Sequence, residues 1–155
     1  KPEAAANAAA PVVSVMAVKL QRWQGETRCD PGFGSDDDEN QDVVLLETLD
    51  DCGVVIAAIF DGHGPRGRDV ANACQSHIAA AVRTHLHAAR EESTSLGWLD
   101  KCFDSLEAHV QQNVPGLSES GAAATVVIYL PERKQVLSAN VGDSKAILAE
   151  GIARR

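Results

Sequence analysis

Apolar and polar positions along the chain fall into blocks with two different periods. From Val12 to Leu20 the pattern alternates, with Val13, Val15 and Ala17 on one face, which predicts a half-buried strand. Val43 to Leu49 predicts a second strand, and Asp50, Asp51 and Gly53 predict a hairpin turn around Cys52. Val54 to Phe60 reads V-V-I-A-A-I-F without a polar break, the pattern of a strand covered on both faces. The period then changes. Val70, Cys74, Ile78, Val82 and Leu86 recur at helical spacing with alanines between them. A second helix is predicted from about Ser95 to Asn113, with Leu99, Phe103, Leu106 and Val110 as its stripe and Pro115 as its stop. Strands return at Ala124 to Leu130 and Gln135 to Asn140, joined by a turn over Pro131 to Lys134. A turn at Val141-Gly142-Asp143-Ser144 and a last strand from Lys145 to Ala149 are predicted to complete a hairpin. Strands, two helices and strands again point to an α+β fold with mainly antiparallel sheet.

The segments between these blocks are different in kind. Lys1 to Pro11, KPEAAANAAAP, is alanine-rich and reads as a flexible terminus. Gly25 to Asn40 reads as a loop, and its acidic run from Asp36 to Glu39 as a solvated face.

Composition narrows the function classes. A chain of 155 residues that is 45% hydrophobic suits one domain with its own core. No window approaches the roughly 18 apolar residues of a membrane span. Fourteen basic against 22 acidic side chains give a formal net charge of −8, which argues against nucleic-acid binding by phosphate neutralisation. The 4% aromatic content argues against a stacking platform for bases. The four cysteines, Cys29, Cys52, Cys74 and Cys102, lack zinc-finger spacing. Nothing in Lys1 to Ala10 resembles a signal peptide, so free thiols and a cytoplasmic or nuclear location are expected. Cys74 and Cys102 fall in helical patterns and are expected to pack in the core.

Three segments carry candidate chemistry. Asp61-Gly62-His63-Gly64 follows the buried strand directly. A carboxylate there is held by the core behind it, and glycine lets a backbone carbonyl approach an ion. Both are hard oxygen donors suited to Mg²⁺ or Mn²⁺. His63 beside them is a candidate general acid near neutral pH. The plain alternative is a glycine-rich turn before a helix. Asn40-Gln41-Asp42 precedes the strand predicted to pair with Val54 to Phe60. Counting back through the turn at Cys52 puts Asp42 beside Asp61. Two carboxylates brought together repel, and a cation resolves the conflict. The third segment is Ala139 to Lys145, in which Asp143 sits in a turn that is, taken alone, a common hairpin turn.

Together these segments resemble the metal-dependent protein serine/threonine phosphatases of the PP2C or PPM family. FDGHG at Phe60 to Gly64 is similar to that family's metal motif. ANVGDSKAIL at Ala139 to Leu148 is similar to its A-N-x-G-D-S-R-A-x-L segment, and SGAAATVV at Ser120 to Val127 to its S-G-[ST]-T-A segment. NQD at Asn40 to Asp42 resembles a variant of its E-D motif. The resemblance implies part of an α-β-β-α sandwich, in which antiparallel sheets are flanked by helices. It implies a two-metal hydrolase acting on phosphoserine and phosphothreonine in protein substrates. Asp61 would bridge two Mg²⁺ or Mn²⁺ ions and the Gly62 carbonyl would ligate one. Asp42 would stand in or just behind that shell, with Gln41 where the family has a ligating Glu. Asp143 would lie near a third, weaker metal position. A water acidified by the ions would attack phosphorus, and His63 would protonate the leaving alkoxide.

The chain departs from the pattern in several places. The family's phosphate-clamping arginine falls at Asp37, and an acid repels a phosphate dianion. Arg28, Arg66 and Arg68 are the nearby arginines, and the substrate-binding residue stays open. Gln41 offers a neutral amide oxygen, and Ala123 replaces a family threonine. The later D-G and G-x-D-N metal segments do not occur before Arg155. The expectation is a flexible stretch over 1–11 and, over 12–155, the N-terminal portion of a PP2C-type domain incomplete at its C-terminal end. Two further readings stay open. One is a catalytically inactive, pseudophosphatase-like scaffold that binds proteins, and the other is an unrelated α+β binding domain. Oligomeric state is left open by the sequence.

Overall fold

The computed structural model describes residues 12–17, 25–29, 40–91 and 97–149, the first of these as backbone. Five strands form one sheet: β1 (Val12–Ala17), β2 (Asp42–Leu49), β3 (Val54–His63), β4 (Gly121–Leu130) and β5 (Gln135–Val141). Their order across the sheet is β1-β5-β4-β3-β2, and every neighbouring pair is antiparallel. Two helices, α1 (Gly67–Glu91) and α2 (Gly97–Asn113), run between β3 and β4. The α+β class and the antiparallel sheet expected from the pattern are both present.

The core lies between the helices and one face of the sheet. Val54, Ile56, Ala58 and Phe60 alternate onto that face of β3 and are buried. They meet Val70, Cys74, Ile78 and Val82 of α1, while Leu99, Cys102, Leu106 and Val110 of α2 belong to the same cluster. Burial pushes the Cys74 thiol up to about 11 and the Cys102 thiol up to about 12, so both are inert packing groups. All four cysteines are free.

The structure changes several sequence expectations. β3 does not end at Phe60 but runs on through Asp61, Gly62 and His63, because β4 starts earlier, at Gly121. His63 pairs with Gly121, Gly62 with Ala122 and Asp61 with Ala123. Coverage of β3 on both faces is incomplete: Ile59, on the side away from the helices, is 43% exposed. The strand predicted from Lys145 to Ala149 does not form. β5 already has β4 on one side and β1 on the other, so no edge remains for a hairpin partner. Ile147 is accordingly 90% exposed. Expectations for residues 1–11, for Asp36 to Glu39 and for Ser95 lie outside the described residues.

Candidate metal centre

The β2–β3 hairpin brings the two acidic motifs together. Its turn is closed by a Cys52 N–H to Leu49 carbonyl bond of 3.2 Å, and the register then runs without a break to Asp42 opposite Asp61. Val43 and Phe60, the preceding pair, are buried beneath the helices. Alternation therefore turns Asp42 and Asp61 onto the opposite face. The Asp42 N–H donates to Asn40 Oδ1 at 2.9 Å, away from β3. Asp42 and Asp61 thus form the kind of antiparallel pair in which side chains stand closest.

The electrostatics of the pair are opposed. Burial raises the Asp42 carboxyl above its ordinary value, and the neighbouring Asp61 raises it further, by its charge and by a side-chain hydrogen bond. The Arg68 guanidinium pulls in the other direction. Two carboxyls within hydrogen-bond reach, one raised by the other, form a site whose repulsion a divalent cation relieves. Carboxyl oxygens are donors of the kind Mg²⁺ or Mn²⁺ takes, and the pair is two such groups; among the described residues no cluster of three or more His, Cys, Asp or Glu side chains stands together.

Glycines bring the surrounding backbone close. A side chain at Gly62 would collide with the Gly67 carbonyl and would stand 2.8 Å from the Gln41 carbonyl. Gly64 takes a φ of +80°, and a side chain there would strike the Glu119 carbonyl. Beside this turn the Arg66 N–H donates to Ser120 Oγ at 2.9 Å, which ties the start of α1 to the segment before β4. Asp61 and His63 share an open cleft of about 620 Å³ with Ala123, Gly142 and Asp143. The two segments that carry His63 and Asp143 thus meet Asp61 in one cleft.

Gln41 stays apart. Its amide oxygen is buried against Gly67, at the first turn of α1, and has no hydrogen-bond partner. It lies on the helix side of the strand, behind Asp42. Of the arginines weighed as phosphate partners, Arg66 pairs with Asp69 at 2.7 Å and Arg68 is bonded to backbone carbonyls. Asp37 lies outside the described residues. Sequence reasoning missed the roles of Ser120 and Arg68. Ser120 stands in a quoted motif, whereas a lone arginine on a helix gives no signal of the carbonyls it will meet.

The Protein phosphatase 2C family model matches residues 39–154. The chain belongs to the protein phosphatase 2C family. It is 30% identical over 110 residues to "Protein phosphatase 2C 53" of Oryza sativa subsp. japonica, a match covering 61% of this chain and 24% of the rice protein. It is 33% identical over 91 residues to "Probable protein phosphatase 2C 28" of Arabidopsis thaliana, covering 59% of this chain and 25% of that protein. Among solved structures, the PPM Ser-Thr phosphatase MsPP from Mycobacterium smegmatis, in complex with cacodylate, superposes with a TM-score of 0.51 at 17% identity. That match covers 90% of this chain and 48% of the other, and it shows that the protein phosphatase 2C chain described here has the PPM fold. The matched stretches thus span about a quarter of the two curated relatives and about half of the solved chain.

Proposed function

We propose that this chain carries one side of the active centre of a metal-dependent hydrolase that removes phosphate from phosphoserine and phosphothreonine in proteins. The observation that supports this reading is the pairing of Asp42 with Asp61, the latter lining the cleft that also holds His63 and Asp143. Divalent Mg²⁺ or Mn²⁺, when bound, supplies the charge that acidifies water and neutralises phosphoryl oxygens. Asp61 and Asp42 would hold the ion, and the Gly62 carbonyl would be a third hard donor. Asp143 lines the same cleft and would add negative charge for a further, weaker metal position. Gln41 supports Asp42 from behind, through its packing on Gly67. His63 is exposed at the mouth of the same cleft, where an imidazolium can deliver its proton to the serine or threonine oxygen as the phosphate leaves. No covalent phosphoenzyme is required.

One observation favours the second reading, an inactive scaffold. Gln41 offers a neutral oxygen and faces away from the pair, so it adds no charge to hold a cation. Mn²⁺-dependent release of phosphate from a phosphothreonine peptide separates the two. The hydrolase reading expects release that Asp61→Asn abolishes. A chain that releases none, yet still binds a partner protein, contradicts it.

A further inference from the structure

We infer that Arg68 is a positioning residue for the Asp42–Asp61 pair, holding the backbone at the start of β2 so that the Asp42 carboxyl is presented to Asp61. The inference rests on the metal reading of that pair. Among the described residues β2 is the edge strand, with no neighbouring strand on its outer side. Side chains of α1 take that place. Arg68 Nη1 donates to the Asn40 carbonyl at 2.8 Å and to the Asp42 carbonyl at 3.0 Å, so one nitrogen spans the Asn40-Gln41-Asp42 segment. Further along the helix, Gln75 Nε2 donates to the Val44 carbonyl at 2.9 Å. Asn40 completes the clamp. Its Oδ1 accepts the Asp42 N–H, and its Nδ2 donates to Cys29 Sγ at 3.2 Å. The backbone N–H and C=O of Asp42 are therefore both fixed by groups outside the hairpin.

This arrangement has a direct consequence for the carboxyl. Asp42 opens β2, where backbone is least restrained by the ladder, yet its carboxyl must face a like charge across the strand pair. Without Arg68, the segment would swing outward and relieve the repulsion by separating the two acids. With Arg68 in place it cannot, and the pair stays closed for a cation. Arg68 touches no cation in this scheme. It acts through Asp42, as residues behind metal ligands do.

The test is a calorimetric titration of the 155-residue chain with Mn²⁺, with Asp61→Asn as the control for binding at the pair. Arg68→Met keeps the apolar stem and removes the donors, so the packing of α1 is retained. The expected result is Mn²⁺ binding weakened about tenfold in Arg68→Met, the low end of the range for groups that orient metal ligands. Arg68→Lys places one nitrogen with three donors near the same carbonyls and should recover a large part of the loss. If Arg68→Met does not fold, Arg68→Gln, which keeps an amide donor on a shorter stem, is expected to show the same loss. No Asp61-dependent uptake by the unaltered chain overturns the metal reading, and this inference with it. Uptake that is present but equally tight in the folded Arg68 variants overturns the inference alone.

Discussion

Asp42 stands directly across the β2–β3 ladder from Asp61, close enough for their carboxyls to hydrogen-bond. Two acids in this position destabilise the folded chain at neutral pH, and nothing in the core requires either. The arrangement makes physical sense as a site prepared for a cation, with folding stability given up for binding.

The Asp42 carboxyl is raised from its ordinary value of 3.8 by burial first and by Asp61 second. Between the ordinary and the raised value, the folded chain holds a proton that the unfolded chain has lost. Stability therefore falls as pH rises through that window, and remains lower at neutral pH. Asp42→Asn removes the charge. In the presence of a chelator, its melting temperature should exceed that of the unaltered chain at pH 7, and the difference should shrink toward pH 4. A lower melting temperature for the variant at pH 7 would show that the pair is not repulsive.

Ser120 supplies a different kind of support. Its hydroxyl accepts the Arg66 N–H at the start of α1, where backbone donors have no partner within the helix. Ser120→Ala should cost about 1 kcal/mol, the usual loss for such a helix-end hydroxyl. In a chain of this size that lowers the melting temperature by roughly 2–4 °C. Thermal denaturation followed by circular dichroism measures it, and an unchanged midpoint would mean that the bond carries no net stability.

A second pH effect belongs to the helices. His77 of α1 and His109 of α2 stack with ring centres 4.2 Å apart and planes 8° from parallel. His77 Nε2 is 3.0 Å from Ser105 Oγ, and His109 Nδ1 is 3.3 Å from the Asn113 side-chain amide. Burial first, and the neighbouring His109 second, lower His77 from its ordinary value of 6.5. The folded chain therefore binds fewer protons than the unfolded chain just below that value. The stability from the neutral stack is complete above about pH 6.5 and is lost as pH falls through the lowered value. Unfolding free energies measured from pH 7 to pH 5 should fall more steeply in the unaltered chain than in His77→Gln. Parallel slopes would exclude the stack as the cause.

Much of this organisation was legible from residue order. The unbroken apolar run Val54 to Phe60 marked the central strand, and the turn at Cys52 allowed Asp42 to be counted into register with Asp61. The helical stripe from Val70 to Leu86 faces the core as its spacing predicts. The sequence was misleading where topology decides. Lys145 to Ala149 has a strand-like composition, yet β1 occupies the edge of β5 that it would need. Gln41 adjoins Asp42 in sequence, so the motif groups them, but its amide oxygen is buried against Gly67 of α1. Arg68 was invisible as a positioning group because its partners are backbone carbonyls, which no residue pattern records.

The proposed hydrolase needs Asp42 and Asp61 to hold a divalent cation together. Calorimetric titration of Mn²⁺ into the unaltered chain, Asp42→Asn and Asp61→Asn tests it most directly. The expected result is saturable uptake by the unaltered chain, abolished in Asp61→Asn and strongly weakened in Asp42→Asn. Uptake should also weaken at lower pH, where protons compete for the same oxygens. Uptake that is equally tight in all three, or absent from the unaltered chain, would contradict it.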